Sequence, residues 1–481
     1  MTDTKWLPTL SDVAGPKFRA LANALRDAAR SGELPPGTRL PAVRDLAWRL
    51  GITPGTVARA YQIAAAEGVL DSHVGRGSFI AQPRPRIGPL QPMLTDRVDS
   101  PAHGRATVDL RIPQLPDCGQ TEAIRSAMIR AAQRIGDEVL DYPSLTRDRT
   151  CRAALCRWLS ERGPGSFGPD DLVLTHGGQN AIVLVMSLCL SGERPRVLCE
   201  SLAYPGLRHA ARLLRADIQP VALDEQGMVP DDLDHAARSS GAQLVCLTPS
   251  AQNPTVARMG AARRHELIAV ARRHDLQIIE DDCFSGPLTP RASHEALPSL
   301  RSLAPERVWQ VSSLSKILSA GLRFGFVICP EGMGAAGRLA AQHSHFGLSL
   351  PLVGLVTELI ESGTACDLAQ KVQAVFDDRV ALAQQVLAGT SFVSQPGVPF
   401  LWLNLPMGWR GSTFATRTAE SGVLVRSADE FSALGDRGGA APAMPNAVRI
   451  ALPCKIDRAL LSDGLKTVAR LYHTPPGDLP V

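Results

Sequence analysis

The sequence lacks any apolar stretch long enough to cross a bilayer. Its longest apolar run, roughly residues 181–190, is about half the length of a membrane-spanning helix. The N-terminus also lacks a basic segment followed by an apolar one, so we expect no signal peptide. These absences predict a cytoplasmic protein without a membrane partner.

The ten cysteines lack the paired spacing of a metal site. Cys151 and Cys156, for example, are five residues apart, which is a helical i,i+5 interval, and no second cysteine pair repeats it. The expectation is therefore a set of reduced thiols in a cytosolic protein, and no bound metal.

A strong overall charge is missing as well, because the net charge is only +4 over 481 residues. Most of that excess lies near the N-terminus, where residues 1–82 contain ten basic and seven acidic side chains. This distribution is a weak indication that the N-terminal segment contacts phosphate groups.

The length of the chain favours two or three domains. Residues 12–82 have the pattern of one compact domain, and residues 83–107 contain five prolines and little periodicity, as a semi-rigid linker does. Residues 108–475 form the remaining, larger domain. Neither an internal repeat nor a long low-complexity tract interrupts this organisation.

The larger domain has short apolar runs that alternate with helical segments, which predicts an α/β fold with a mixed, mostly parallel sheet. Later apolar runs predict a small C-terminal α+β domain. The runs are Leu172–Thr175, Val197–Glu200, Gln219–Leu223, Leu244–Thr248, Gln277–Glu280, Val308–Ser312 and Phe324–Cys329, followed by Phe400–Leu405 and Val448–Leu452.

Three helices and a hairpin are predicted in the N-terminal domain. The helices cover Lys17–Arg30, Ala42–Leu50 with Pro41 at the first position, and Thr53 to Glu67 with Thr53 as the N-cap. Two short strands follow around a glycine-rich tip. This order is typical of a winged helix-turn-helix whose third helix enters the major groove of double-stranded DNA.

The segment from Gly32 to Ile80 resembles the GntR-type winged helix over nearly its whole length. The resemblance implies that Arg44 contacts phosphate or a base edge, that Thr53 and Thr56 face DNA, and that the wing tip consists of Gly75, Arg76 and Gly77. The family often has an arginine where this chain has Pro54. We therefore expect that a base contact is missing or is made by Arg59 instead. Any one of these arginines, taken alone, is better explained as a solvated surface charge, and only the whole pattern favours DNA contact.

Three segments of the larger domain suggest chemistry, although each has a plainer interpretation. Thr175–Ala181 follows a strand, contains two glycines and opens a helix, which suits an anion site or a tight turn. Leu276–Asp282 ends a buried strand in carboxylates, which suits a ligand site, a helix cap or a metal site. Val311–Gly325 contains a lysine among small residues, which is either a Schiff-base lysine or a surface one.

Taken together, these segments resemble fold-type I enzymes of the class I aminotransferases, which use pyridoxal 5'-phosphate (PLP). The resemblance covers about residues 108–470. It implies that Lys316 forms a Schiff base with PLP, that Asp281 pairs with the pyridine nitrogen and that Arg449 binds a carboxylate. The other residues it assigns to PLP are Asn253 at the ring oxygen, Tyr204 stacked on the ring, Gly178, Gln179, Ser313, Ser315 and Arg323 at the phosphate, and Tyr142 reaching the phosphate of a partner subunit.

Some positions depart from the aminotransferase pattern. Cys283 and Phe284 stand where the family has a tyrosine shortly after the aspartate, Val256 replaces a glycine after Asn-Pro-Thr, and Arg147 replaces another glycine. PLP binding is compatible with these changes, but efficient turnover needs finer placement of groups than binding does.

A GntR-like domain joined to an aminotransferase-like one resembles the MocR/GabR group of transcription regulators. The resemblance implies a homodimer that senses an amine with a carboxylate group, and it is compatible with domain swapping between the two chains. Two alternatives are a working aminotransferase with an accessory DNA-binding domain, and a PLP domain that serves only for dimerisation. The sequence names neither the effector nor the target genes.

Overall fold

The structure is a computed structural model that divides the chain into two compact units, Met1–Asp96 and Arg97–Val481. It describes residues 6–8, 17–66, 69–73, 77–81, 107–160, 163–284, 297–434 and 444–474. The wing residues Gly75 and Arg76 lie outside these ranges, as does most of the proline-rich linker.

The N-terminal unit consists of three helices and a two-stranded antiparallel hairpin. They are α1 (Lys17–Ser31), α2 (Val43–Leu50), α3 (Pro54–Ala66), β1 (Leu70–His73) and β2 (Gly77–Ile80). An additional bridge joins Arg39 to Phe79 beside the hairpin. A core of leucine, alanine and valine side chains from all three helices holds this unit together, because each helix is apolar on one face.

The turn between α2 and α3 has the chemistry that a helix-turn-helix needs. Gly51 ends α2 in the left-handed region, with φ of 59°, and its N–H bonds back to the last turn of the helix. Thr53 Oγ1 accepts a hydrogen bond from the N–H of Thr56, as expected of an N-cap residue. The second helix begins one residue later than expected, because Ala42 is its N-cap and Pro41 therefore lies outside it.

The second unit contains the remaining elements. Its helices are α4 (Gln120–Ala132), α5 (Arg149–Ser160), α6 (Gly178–Cys189), α7 (Pro205–Leu213), α8 (Pro230–Ser240), α9 (Ala261–Arg273), α10 (Leu300–Leu303), α11 (Gly334–His345), α12 (Leu350–Glu361), α13 (Thr364–Val386), α14 (Gly411–Glu420) and α15 (Arg458–Tyr472). Its strands are β3 (Val108–Asp109), β4 (Leu172–Thr175), β5 (Arg196–Glu200), β6 (Asp217–Val221), β7 (Leu223–Asp224), β8 (Gly227–Met228), β9 (Leu244–Leu247), β10 (Gln277–Asp281), β11 (Val308–Ser313), β12 (Gly325–Ile328), β13 (Ser391–Val393), β14 (Phe400–Asn404), β15 (Val423–Leu424), β16 (Arg426–Ser427) and β17 (Ala447–Ala451).

Seven of these strands form one sheet in the order β4-β12-β11-β10-β9-β5-β6. Only β12 runs antiparallel to its neighbours. The other six strands therefore point the same way, and their carboxyl ends meet at one edge of the sheet. The predicted α/β fold with a mixed, mostly parallel sheet is confirmed, and all seven apolar runs of the sequence contribute strands to it.

A second, antiparallel sheet of order β13-β14-β17-β16 forms the core of the C-terminal part, where α13, α14 and α15 add apolar side chains. This confirms the predicted small α+β region. Helices such as α6 and α9 cover the large sheet, and their buried faces pack against strands that are buried on both sides. Within the described residues, none of the helices combines the length and apolarity that a bilayer crossing requires.

Candidate functional site

The candidate site lies at the carboxyl edge of the large sheet. Five of its six parallel strands deliver a side chain or a helix start to this edge. Gly178 follows β4, Tyr204 follows β5, Asn253 follows β9, Asp281 ends β10, and Lys316 follows β11. Carboxyl ends of parallel strands are where α/β folds bind ligands, because loops and helix N-termini converge there.

Lys316 occupies a short 3-10 helix, Leu314–Lys316, directly after β11. Burial lowers the pKa of its amino group, and the cationic side chains of Arg449 and Arg323 lower it further. The amino group also lies 5.4 Å from the centre of the Phe284 ring. A lowered pKa increases the neutral fraction of the amine at neutral pH, and the neutral amine is the nucleophile.

Asp281 lies within electrostatic range of Lys316, and burial raises the pKa of its carboxyl group. A hydrogen bond from the Cys283 side chain and the charge of Lys316 oppose that rise. Its Oδ1 is buried and has no hydrogen-bond partner among the described residues. A buried carboxylate oxygen of this kind needs a donor, since leaving it unpaired costs free energy.

The start of α6 is shaped to admit an anion. Gly177 is the N-cap with φ of 85°, and a Cβ at that position would lie 2.7 Å from Arg323 Nη2. Arg323 donates to the carbonyl of His176 and, at 3.5 Å, to Ser315 Oγ. The free N–H groups of a helix N-terminus and an adjacent guanidinium are the donors that phosphate requires.

Tyr204 and Gln179 meet at the start of α7. Gln179 Nε2 donates to the carbonyl of Gly206 at 2.9 Å, and a Cβ on Gly206 would lie 2.2 Å from the Tyr204 ring. Burial raises the pKa of Tyr204 to about 12, and the charge of Asp281 adds to this effect. The phenol therefore stays neutral at physiological pH and lies within electrostatic range of Asp281.

Arg449 on β17 connects the second sheet to this site. Its Nη1 donates to Asn253 Oδ1 at 2.8 Å, and its Nη2 donates to the Arg111 carbonyl at 2.7 Å. The side chain is only 5% exposed, and its guanidinium lies over the rings of Phe400 and Phe431 at 5.2 and 4.7 Å. Burial and the charge of Arg426 lower its pKa.

This set of donors and acceptors fits PLP. The unpaired Asp281 Oδ1 suits a pyridinium proton, the α6 N-terminus with Arg323 suits a phosphate, and Lys316 suits the aldehyde. Ser313 and Ser315 are buried beside Lys316 at the end of β11. The structure therefore brings together all the residues that were expected to hold PLP, except Tyr142. That side chain is 81% exposed and packs its ring against Phe346.

Sequence reasoning did not identify the aromatic side chains that lie between Lys316 and Arg449. Phe284 packs edge-on against Phe400 with ring centres 5.1 Å apart, and Phe400 and Phe431 both lie against Arg449. Phe284 stood out only as a departure from the aminotransferase pattern. Phe400 and Phe431 lie more than a hundred residues further along the chain and have no local motif, so only the fold reveals their neighbourhood.

The candidate DNA interface lies in the N-terminal unit. Arg44 is exposed on α2, and the hydroxyls of Thr53 and Thr56 are 2.9 Å apart at the start of α3. Arg59 is exposed on α3, with its guanidinium 4.4 Å from the centre of the Phe18 ring. Gly77 begins β2 with φ of 105°. An exposed tryptophan on α2, Trp48, was not anticipated from the sequence.

Comparison with protein families matches both units. Residues 107–468 match the model for aminotransferase class I and II, and residues 18–80 match the model for bacterial regulatory proteins of the gntR family. The first match covers more than half of the chain. The resemblance to both families, recognised from the motifs, is thus confirmed.

Individual relatives agree with this assignment. The chain is 26% identical to the uncharacterized HTH-type transcriptional regulator YdeF of Bacillus subtilis, over 97% of this chain and 96% of that protein. It is 25% identical to the probable rhizopine catabolism regulatory protein MocR of Rhizobium meliloti, over 87% and 85%. The kynurenine aminotransferase of Pyrococcus horikoshii shares its fold, with a TM-score of 0.67, 21% identity and coverage of 76% of this chain and 91% of that one.

Proposed function

Because this chain belongs to the aminotransferase class I and II family and carries a gntR-family domain, as DNA-binding transcription regulators of the MocR type do, we propose that it senses an amino compound through PLP. The regulated DNA is bound by the N-terminal unit, and the effector carries both an amino group and a carboxylate. The observation that supports this most is the convergence of Lys316, Asp281, Asn253 and Arg449 on one site.

Lys316 is the residue that holds the cofactor covalently. When bound, PLP supplies an aldehyde that reacts with amines and a pyridine ring that accepts electrons. The lowered pKa of Lys316 increases the neutral, nucleophilic fraction of its amine. Asp281 holds a proton at the pyridine nitrogen, since its buried Oδ1 has no other partner among the described residues.

The remaining residues orient the ring and the phosphate. Asn253 donates to the ring oxygen through its amide nitrogen, while Arg449 occupies its Oδ1. Tyr204 stacks on the ring. Gly178, Gln179, Ser313, Ser315 and Arg323 bind the phosphate, and Tyr142 of each subunit reaches the phosphate site of the other in a homodimer.

The effector competes with Lys316 for the cofactor and is selected by its carboxylate. Arg449 binds that carboxylate with N–H groups that Asn253 and Arg111 leave free. Binding of an amine at this site shifts the large unit between two states that differ in DNA affinity. Arg44, Thr53, Thr56, Arg59 and the wing of Gly75, Arg76 and Gly77 make the DNA contacts, in the cytoplasm.

The visible absorption spectrum of the purified protein tests the cofactor and the sensor together. We expect an absorption band that Lys316→Ala abolishes and that one class of amino acid shifts without converting PLP to its amine form. A band that persists in Lys316→Ala, or the absence of any band after PLP is added, would contradict the proposal.

DNA binding has its own test, which does not depend on PLP. The protein is expected to bind a promoter fragment adjacent to its own gene more tightly than random DNA of equal length and salt concentration. Equal affinity for both DNAs would refute the regulator function.

An active aminotransferase with an accessory DNA-binding domain is the second candidate. It is favoured by the complete Lys316, Asp281, Asn253 and Arg449 set, which is also what transamination requires. Cys283 and Phe284, in place of a tyrosine, oppose it. Half-transamination decides between the two: conversion of bound PLP to the amine form by an amino donor would favour the enzyme.

A further inference from the structure

Two arginines face each other across the strand pair at the effector end of the site. Arg426 on β16 and Arg449 on β17 are direct register partners in an antiparallel pair. Side chains of such partners project from the same face of the sheet, with Cβ atoms about 5 Å apart. Like charges in this position are destabilising unless an anion lies between them.

Each of the two guanidinium groups has an N–H group without a hydrogen-bond acceptor among the described residues. The Nε atoms of both Arg426 and Arg449 are buried and have no hydrogen-bond partner among the described residues. Arg449 is 5% exposed, so bulk water does not reach it, and its contacts with the Asn253 side chain and the Arg111 carbonyl use neutral acceptors. Two adjacent unpaired N–H groups on cationic side chains indicate a site for an acceptor that carries charge.

The carboxylates around this pair supply one negative charge fewer than is needed to balance the arginines. Glu430 Oε2 lies 3.6 Å from Arg426 Nε, a distance at which it offsets charge without a hydrogen bond. Glu430 is held in that position because its Oε1 accepts the N–H of Ser427. The neighbouring Asp109 is already paired with Arg111 through two hydrogen bonds between side chains. Two arginines therefore share one available carboxylate.

We propose that Arg426 is a second carboxylate-binding residue, that it holds a single effector carboxylate together with Arg449, and that this pair selects monocarboxylic over dicarboxylic amino acids. One added carboxylate neutralises the pair, whereas a second has no cation left and is placed near Glu430. The inference rests on the proposed function, because it concerns the effector of that same site. It adds the class of effector and a residue that has no sequence motif.

The test uses five-carbon amino acids and the four-carbon amine that remains when the carboxylate is removed. The carboxylates are 2-aminopentanoate and 5-aminopentanoate, glutamate adds a second carboxylate, and butylamine lacks one. Dissociation constants are measured on the PLP-loaded full-length protein from the shift of its visible band, and independently by calorimetry. The variants are Arg426→Gln, Arg426→Lys, Glu430→Gln, and Arg458→Gln as a matched arginine on α15 with its own partner, Asp378.

The wild type is expected to bind one of the aminopentanoates at least about tenfold more tightly than glutamate or butylamine, since a charge-assisted contact contributes about one order of magnitude in affinity. Arg426→Gln should lose about tenfold toward that aminopentanoate and nothing toward butylamine. Arg426→Lys should lose less, and Arg458→Gln should behave as wild type. In Glu430→Gln, where Oε1 remains as the acceptor, glutamate should gain about tenfold relative to the aminopentanoate.

The outcomes distinguish failure of this inference from failure of the proposed function on which it rests. If Arg449→Gln weakens the aminopentanoate but Arg426→Gln does not, the second arginine has no role and the inference alone is wrong. Tighter binding of glutamate than of both aminopentanoates by the wild type also overturns it. A protein without any Lys316-dependent band refutes the proposed function, and the inference with it.

Discussion

Glu200 ends β5 with a carboxyl group that is almost fully removed from solvent. Its side chain is 2% exposed, and burial raises its pKa to about 8, although a hydrogen bond from Gln252 opposes the rise. In the unfolded chain the pKa of a glutamate is about 4.3. The folded state therefore binds an extra proton at this residue between these two values.

This residue predicts a specific pH dependence of stability. A raised carboxyl pKa contributes stability that is fully present below the unfolded pKa and is lost as the pH rises through about 8. Glu200→Gln lacks this titration and keeps a similar shape. Between pH 4.5 and 8 the Tm of the wild type should fall relative to that of the variant, with a difference in unfolding free energy of about 1 kcal/mol or more. Parallel melting curves across that range would disprove the assignment.

Residue by residue, the sequence predicts the site best where its groups are close in the chain. Lys316 and Arg323 are seven positions apart, and a turn after β11 brings them to the same edge, so a local motif identifies both. Arg449 and Asn253 are 196 positions apart and meet only because β17 of the second sheet packs against the loop after β9. Arg426 has no motif at all, since the role proposed for it depends on strand register.

At the scale of elements, the glycine turn before α6 offers a matched pair of substitutions. Gly177 and Gly192 both have positive φ, 85° and 92°, so an alanine strains the backbone at each. Only at Gly177 would the new Cβ meet Arg323, whereas nothing lies within 4 Å of it at Gly192. Gly177→Ala should weaken PLP binding about tenfold or more, since it displaces a phosphate donor.

Equilibrium titration of each variant with PLP measures this effect. Gly192→Ala serves as the control and should retain the wild-type dissociation constant for PLP, even if both variants lose similar thermal stability. Equal PLP affinity of the two variants would show that Arg323 does not depend on the space at Gly177.

The turn of the helix-turn-helix depends on one backbone conformation at Gly51. A Cβ at this residue has no atom within 4 Å, so substitution changes only the cost of the left-handed φ of 59°. That cost is about 1–2 kcal/mol for alanine and smaller for asparagine. Hydrogen exchange of α2 and α3 in the full-length chain should therefore accelerate at least about fivefold in Gly51→Ala and less in Gly51→Asn. Equal exchange in both variants would exclude strain at this turn as the cause.

The individual helices and strands are the features of this chain that the sequence predicts best. Most strands of the large sheet are buried on both faces and therefore appear as continuous apolar runs, whereas the edge strand β6 is only partly buried. The order and direction of those strands could not be predicted from the runs. β12 lies between β4 and β11 and runs antiparallel to both, and no local pattern of Gly325–Ile328 encodes that direction. Sheet order is set by long-range packing, so the runs predict strands and not neighbours.

For the whole molecule, the proposed function requires that effector binding and DNA binding influence each other. Thermodynamic linkage makes this influence reciprocal: if the effector changes DNA affinity by some factor, DNA changes effector affinity by the same factor. Allosteric factors are typically about 5 to 150. The same purified protein can be titrated in both directions, by the visible band with and without operator DNA and by DNA binding with and without effector.

Lys316→Ala separates the coupling from DNA binding itself. Since Lys316 lies in the large unit and the DNA contacts are proposed for the N-terminal one, the variant should keep its affinity for DNA, and the effector should no longer change that affinity. Loss of DNA binding in the variant at unchanged thermal stability would mean that cofactor attachment is needed for the DNA-binding state. Unequal coupling factors measured in the two directions would show that the effector acts at another site, because reciprocity holds only for the ligand pair actually linked.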